Sequence, residues 1–470
     1  MATNSTNKIV SIQEDHVLIN NLSQRNSNES ASSKDFVIYT VDEHTGTIYS
    51  SSVILCNTIL GSGLLAMPFA LSNVGLFLGM FLILFSGFAS GFGLYLLGKC
   101  AQEIPDRKSS FFSVAEQTYP KAALLFDLAV AIKCFGVSIS YLIIFGDLVP
   151  QVVTFFTGND TSFFATRLFW ITFGIVGMTP LTFQKRLDSL KYASLVAMFA
   201  VLYFVIVVSQ YYFFADRIPP PKDDIKYVNF SYAILKNISL FVFAFTCHQN
   251  IFSIHNELKD NSFSNINKII IMSIGFCMCL YQWVANPENA ATSYCRIAVA
   301  VFVISAYPLQ CHPARASINR IVNSFSSVNN HDLIIPEEPN RQENDHSLEV
   351  DLSSEEQLSR TSEAVQRPDS SEPAMLQTVY SEATDPQYYI ITTAILVFSY
   401  LIAVSIKELG LVLSFVGSTG STSISFILPG ILYWKMHEKS PPSIIKNLSI
   451  ILVIYGIVVM VVSLYVNFTT

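Results

Sequence analysis

Two short stretches of an otherwise apolar chain carry residues able to hold a small polar molecule. The first reads CNTILGSGLLAMPFAL, residues 56 to 71, with Gly61-Ser62-Gly63 at its centre and Pro68 close behind. Each glycine costs ~1 kcal/mol against alanine inside a helix, so the run is weakest where a spanning helix would lie deepest. Backbone groups freed by a break there cannot be satisfied by hydrocarbon; protein or a water-lined cavity must do it. Half-helix N-termini offer unpaired N–H groups and a positive dipole end, and half-helix C-termini offer carbonyls. Together they suit a zwitterion, with its carboxylate on the N–H groups and its ammonium on the carbonyls. Gly and Ser also let membrane helices pack closely. Gly61 and Gly63 are two apart rather than four, which is not the usual packing spacing, and both readings stay open.

The second stretch reads LFVFAFTCHQNIFSIHNEL, residues 240 to 258, where Thr246-Cys247-His248-Gln249-Asn250 interrupts the apolar pattern. His248 has two readings: a proton carrier, since an imidazole titrates near pH ~6.5, or a neutral ring tying two helices together. Lys133 lies about eleven residues into another apolar run, roughly 16 Å deep at 1.5 Å per residue. That depth is costly unless the amine faces a cavity or a partner. Asp127 does not share its face and is expected to snorkel to the near interface, while Glu408 marks a helix end.

Spanning helices have to position these groups. The 470 residues are 51% hydrophobic and 13% charged, against about 25% charged in a soluble domain, and the mean hydropathy is +0.44. Runs near the ~20 residues that a span needs occur at 51–70, 76–98, 122–149, 166–183, 192–214, 233–254, 268–285, 290–308, 388–405, 409–434 and 447–467. The expected fold is an all-α membrane protein of eleven transmembrane helices. The interrupted runs are the first and the sixth, the positions that a LeuT-like five-plus-five inverted repeat, with one extra helix, would place at a binding site.

Residues 1–46 are rich in Asn, Ser and Thr, hold no apolar signal region, and read as a disordered cytosolic tail. Helices one to eight are expected within 47–322 and helices nine to eleven within 387–470. Between them, 323–386 reads as a disordered acidic cytosolic loop. From His331 to Asp385 there are 14 Asp and Glu against three Arg, which outweighs the whole-chain net charge of −7 and leaves the remainder slightly basic. Lys and Arg in the short loops favour the side of the N-terminus by about two to one, which places the N-terminus in the cytosol and the C-terminus in a lumen. The sequons at Asn159, Asn229 and Asn467 then face the lumen and are the glycosylation candidates, although other sequons fall inside.

No basic stripe of the kind nucleic-acid binding needs is present. No nucleophile–base set, metal motif or phosphate loop points to an enzyme, a metal or a cofactor. The eight cysteines fall in or beside apolar runs and read as packing residues rather than a disulfide framework. Cys277 and Cys279 lie ~200° apart on a helix and share no face.

NTILGSGLLAMPFAL, PLTFQKRLDSLKYAS (180–194), FAFTCHQNIFSIHNEL (243–258) and YPLQCHPARASI (307–318), in this order, resemble the amino acid/auxin permease family, and within it the fungal vacuolar amino acid transporters. The resemblance implies secondary transport of amino acids in a vacuolar membrane. By position, the Gly61-Ser62-Gly63 backbone would meet the substrate carboxylate, and carbonyls around Ala244, Phe245 and Thr246 would help hold the ammonium. Asn57 matches an asparagine near a cation site in sodium-coupled relatives. The vacuolar members are taken to use protons, with His248 as the coupling candidate, so that an acidic lumen drives neutral amino acids such as glutamine into the cytosol. The partners implied are an amino acid, a proton and membrane lipid. An amino acid sensor that signals through its cytosolic loop is the alternative. One departure stands out. CLYQWVANPENAATSYCR, residues 279 to 296, passes almost directly from the seventh run to the eighth, where relatives carry a longer segment. The short turn is expected to weaken the chain and to draw Arg296 about six residues into the eighth run, where an unpaired Arg is costly.

Overall fold

The computed structural model describes residues 46–184, 191–213, 227–229, 233–284, 293–331, 385–406 and 409–469. Its helices are α1 (Ile48–Val74), α2 (Leu76–Gln102), α3 (Phe111–Thr118), α4 (Ala123–Thr157), α5 (Arg167–Thr182), α6 (Lys191–Phe213), α7 (Ala233–Ala244), α8 (Ile251–Glu257), α9 (Phe263–Val284), α10 (Ser293–His331), α11 (Asp385–Ser405), α12 (Leu409–Val416), α13 (Leu428–Met436) and α14 (Ile444–Thr469). Two π-wound pieces, Gly417–Ser421 and Ser423–Ile427, join α12 to α13. Among the described residues there is no strand, only a single bridge between Gly46 and Leu258. Seven of the elements are long and apolar enough to cross a membrane: α2, α4, α9, α10, α11, the α12–α13 run and α14. Shorter apolar stretches occupy Ile48–Gly61 in α1 and Tyr192–Val207 in α6.

Lipid and protein faces separate by helical period. On α2, Phe77, Phe81, Phe85 and Phe88 are exposed, while Gly79, Ser86, Gly87, Ser90 and Gly93 are buried. The aromatic side presents the apolar stripe and the small residues let neighbours approach. The same division on α14 exposes Ile454, Val458, Val461 and Tyr465 and buries Leu452, Gly456, Val459 and Ser463. The long helix α4, buried from Phe126 to Gly146 on most of its faces, packs most extensively along α10.

Both ends of α1 are tied to the segment that carries the second interruption. Thr47 and Ser50 form a capping box at its start. Just before it, the Gly46 N–H donates to Glu257 O at 3.0 Å and the Lys259 N–H donates to Gly46 O at 2.9 Å. At the other end the Asn229 N–H donates to Val74 O at 3.0 Å and the Phe77 N–H to Tyr227 O at 2.9 Å. Gly75 makes the turn between α1 and α2 with φ 91°, a left-handed conformation suited to glycine, and a Cβ there would meet the Tyr227 backbone at 2.9 Å. The start of α1 thus meets the end of α8, and the end of α1 meets the chain leading toward α7. The two interrupted elements run antiparallel.

Three expectations need correction or placement. Asp127 does not snorkel: it is fully buried and takes bonds from Arg320 Nε and Nη2, each at 2.8 Å, and from Ser317 Oγ at 3.1 Å. A bidentate guanidinium makes burial of that carboxylate tolerable. Arg296 lies in the first turn of α10, which begins at Ser293, and is partly exposed. The shortened turn itself, Glu408, residues 1–45 and most of the acidic stretch lie outside the described residues.

Candidate functional site

The chain departs from helical geometry at both positions singled out in the sequence. In α1 the break is at Gly61, with φ −17° and ψ −123°. After α7 ends at Ala244, residues 245–247 are non-helical, and a single turn, His248–Asn250, leads into α8. Glycine permits the two breaks to lie against their neighbours. A Cβ at Gly61 would fall on the Tyr141 hydroxyl. A Cβ at Gly63 would fall on the Tyr281 hydroxyl and stand 2.9 Å from Ala244 Cα. Ser62 lies between them in the chain, its side chain outside the described set.

Hydroxyls from surrounding helices close around the carbonyls at the breaks. The Tyr281 hydroxyl, on α9, donates toward Ile59 O at 2.6 Å and Ala244 O at 3.0 Å, so one proton is shared by a carbonyl from each interrupted element. Ser90 Oγ, on α2, donates to Phe245 O at 2.7 Å. His248 Nε2 lies 3.0 Å from Ser90 O. A carbonyl only accepts, so this contact calls for the Nε2–H form of the ring. Thr246 Oγ1 donates to Val242 O at 2.9 Å and accepts from Ser425 Oγ at 3.2 Å. Asn250 Nδ2 donates to Thr58 Oγ1 at 2.7 Å, joining the two interrupted elements through side chains. Such bonds are worth about 0.5–1.5 kcal/mol each when made and cost about 1–3 kcal/mol when a buried partner is left alone.

Against this satisfied frame, several buried polar atoms have no hydrogen-bond partner among the described residues. Asn57, fully buried one residue before Thr58, has neither Oδ1 nor Nδ2 engaged; His248 Nδ1, Gln249 Oε1 and Ser421 Oγ are likewise unpartnered. Unsatisfied groups of this kind call for an explanation, and one is a ligand that completes them. The Ala244 and Phe245 carbonyls already accept a hydroxyl each, and each keeps a second lone pair for an ammonium group.

A cavity of ≈ 380 Å³ reaches this region from the face that carries Gly46 and the end of α8, running from exposed Lys108 inward to buried Gln249 and Phe252. Arg320, which holds Asp127, forms part of its wall. Lys133, 1% exposed, lies behind Gln249, with its Nζ 3.4 Å from Gln310 Oε1.

Sequence reasoning missed Ser90, Tyr141, Tyr281, Gln310 and Ser425. Their only signal was polarity inside apolar runs, which does not say which face a hydroxyl occupies. Of the three sequon asparagines, Asn159 is exposed, its Oδ1 accepting from the Thr161 N–H at 2.9 Å and from its hydroxyl at 2.8 Å. Asn229 uses its Nδ2 to bond Asn73 O at 2.9 Å. Asn467 is inside α14, taking a 2.6 Å bond from Ser414 Oγ.

Comparison with known proteins bears on this arrangement. The chain is 34% identical over 458 residues, 91% of its length and 96% of the relative's, to vacuolar amino acid transporter 5 of Schizosaccharomyces pombe. It is 35% identical to vacuolar amino acid transporter 5 of Saccharomyces cerevisiae, covering 89% of this chain and 97% of that one. It is 25% identical to sodium-coupled neutral amino acid symporter 2 of Danio rerio, covering 86% and 79%. Among solved structures, the fold is similar to that of a manganese transporter variant from Eremococcus coleocola, with a TM-score of 0.53 at 8% identity over 89% of this chain and 85% of that one. The profile described as transmembrane amino acid transporter protein matches in two parts, 44–287 and 284–469, which meet at the turn read as shortened. With nearly all of the membrane region matched, the chain belongs to the transmembrane amino acid transporter family.

Proposed function

We propose that this chain is a secondary transporter that moves neutral amino acids, glutamine among them, across the vacuolar membrane, coupled to protons and directed from an acidic lumen to the cytosol. The observation that carries the reading is the pair of facing breaks at Gly61 and at 245–247, linked through Tyr281 and through Thr58 and Asn250. An amino acid has one group for freed N–H donors and one for freed carbonyls, the two kinds of group that facing half-helix ends can supply. The relatives named as vacuolar amino acid transporters support the compartment and the substrate class. The relative named as a neutral amino acid symporter supports neutral side chains, as does the lack of an arginine among the residues at the breaks.

The eleven-span plan, with two inverted repeats of five and a last helix, belongs to the same reading. The antiparallel ties between α1 and the α7–α8 element support it, since an inverted repeat runs its first helices in opposite directions. With the N-terminus in the cytosol, the cavity beside Gln249 opens toward the cytosol and offers a route for release. The sensor alternative rests on the acidic stretch and gains no support from the described residues.

The test is efflux from vesicles bearing the purified chain and preloaded with tritiated glutamine. Vesicles with an acid lumen are expected to lose glutamine faster than pH-equilibrated ones. Flux that follows sodium and ignores a protonophore overturns the coupling, and no flux of any amino acid overturns transport itself.

A further inference from the structure

Lys133 is a titratable group that the amino acid site does not use. It sits on α4, 1% exposed, and no carboxylate pairs with it among the described residues; the ion pairs found there join Arg167 to Asp147, Arg320 to Asp127 and Lys435 to Glu438. Among the described residues its hydrogen-bond partner is the side-chain oxygen of Gln310, on α10, at 3.4 Å. The same oxygen accepts from Gln249 Nε2 at 3.3 Å, and Gln249 lines the cavity. Two hydrogen bonds therefore separate the amine from the cavity wall, and the free Gln249 Oε1 leaves an acceptor for water along that route.

The groups around the amine are mostly uncharged. Cys134 adjoins it on α4, and Cys247 and His248 face it from the segment between α7 and α8. Cys311, on α10, packs against Cys134 and Ser138. The π-wound segment presents Gly420, where a Cβ would stand 2.7 Å from Lys133 Cβ, so the missing side chain lets the two backbones close on each other. Further along α4, α12 presents Val416 to Gly136, and α1 meets Tyr141 at Gly61. The charged groups elsewhere on α4, Asp127 and Asp147, are each held by their arginine. An amine in such a setting holds a charge readily when water reaches it and poorly when sealed from water. Alternating exposure would then load and unload a proton.

We infer that Lys133 is the residue that takes up and releases the coupled proton, its amine lone pair accepting the proton on one side and returning it to water in the Gln249 cavity on the other. His248, with its Nε2 engaged by the Ser90 carbonyl, ties α2 to the break instead. The assignment rests on the proton-coupled reading above.

The test uses the full chain in vesicles and tritiated glutamine, with two readouts: accumulation driven by a pH difference, and exchange against unlabelled glutamine at equal pH. Lys133→Met is expected to lose driven accumulation by about tenfold or more while exchange continues at a measurable rate. Wild type driven by pH beside a variant driven equally well overturns the assignment of Lys133 alone. Loss of both readouts in a variant that folds also overturns it, because a structural role predicts that pattern. Wild type indifferent to pH overturns the coupled reading and this assignment with it. If Lys133→Met does not fold, Lys133→His decides: an imidazole, with an ordinary pKa near 6.5 against about 10.4 for lysine, is expected to move the pH midpoint of flux downward. An unmoved midpoint overturns the inference.

Discussion

Replacing Gly61 by alanine adds one methyl group at the break, and the structure says what that methyl meets. The ideal Cβ falls on the Tyr141 hydroxyl, with the ring carbons behind it at 3.2 Å for Cζ and 3.5 Å for Cε1. Tyr141 is fully buried on α4, so its ring has little room to retreat. Overpacking of this kind costs about 1–3 kcal/mol. If that cost falls on the arrangement that binds substrate, flux drops by about five- to hundredfold at ~1.4 kcal/mol per decade. Removing the struck atom relieves the overlap. In Gly61→Ala/Tyr141→Phe the closest remaining contact is the 3.2 Å one to the ring carbon, which a small shift accommodates. Tyr141→Phe alone removes only the struck hydroxyl, and the cycle separates its own effect from the coupling. The double variant is therefore expected to transport glutamine better than Gly61→Ala, with a coupling energy of about 1 kcal/mol or more in a double-mutant cycle. Initial rates in vesicles and thermal unfolding of the purified variants supply the cycle. Strictly additive effects would refute the argument, since they would mean that Gly61 does not act through its approach to Tyr141.

Two further outcomes are expected. Asn57→Leu removes two unpartnered amide atoms from a fully buried position, so it should raise thermal stability by about 1–3 kcal/mol while transport falls; lower stability with transport intact would make Asn57 a packing residue. Asn159→Gln should abolish the glycan-dependent mobility shift of the chain in a glycosylating host, with Asn229→Gln and Asn467→Gln leaving the shift in place, and a chain that never carries glycan at Asn159 would count against a luminal loop after α4.

The legible part of this molecule was local. Gly61-Ser62-Gly63 announces a weak point in a helix because glycine lowers the cost of leaving helical geometry, and the break is at Gly61. The polar run from Thr246 to Asn250 announces another because five such residues cannot all face lipid. Long-range partners were hidden. Asp127 reads as an interfacial acid because Arg320 and Ser317, which hold it, lie far along the chain. Lys133 reads as deep, but nothing near it in sequence names Gln310. The hydroxyls of Ser90 and Tyr281 sit in runs that look uniformly apolar, and their role depends on which side of the helix meets the breaks. α10 begins at Ser293, so Arg296 falls in its first turn, near an end where a guanidinium is easily hydrated. Hydropathy marks an approximate run, not the residue at which hydrogen bonding starts.

The backbone tie between Gly46 and the end of α8 has a mechanical consequence. Two N–H···O bonds, 3.0 and 2.9 Å long, link the entrance of α1 to the exit of the α7–α8 element. Parting these two ends by more than about an ångström would break both bonds at once. Any motion that keeps both bonds would carry the two ends together as a yoked pair. Between α8 and α10 the cavity runs beside Phe252, Ser253, His312 and Ala316, and the Gln249 to Gln310 bond at 3.3 Å closes its inner end. The yoke makes a pair of fragile half-helices one mechanical unit at this end, with α10 lining the opposite wall of the cavity beside it.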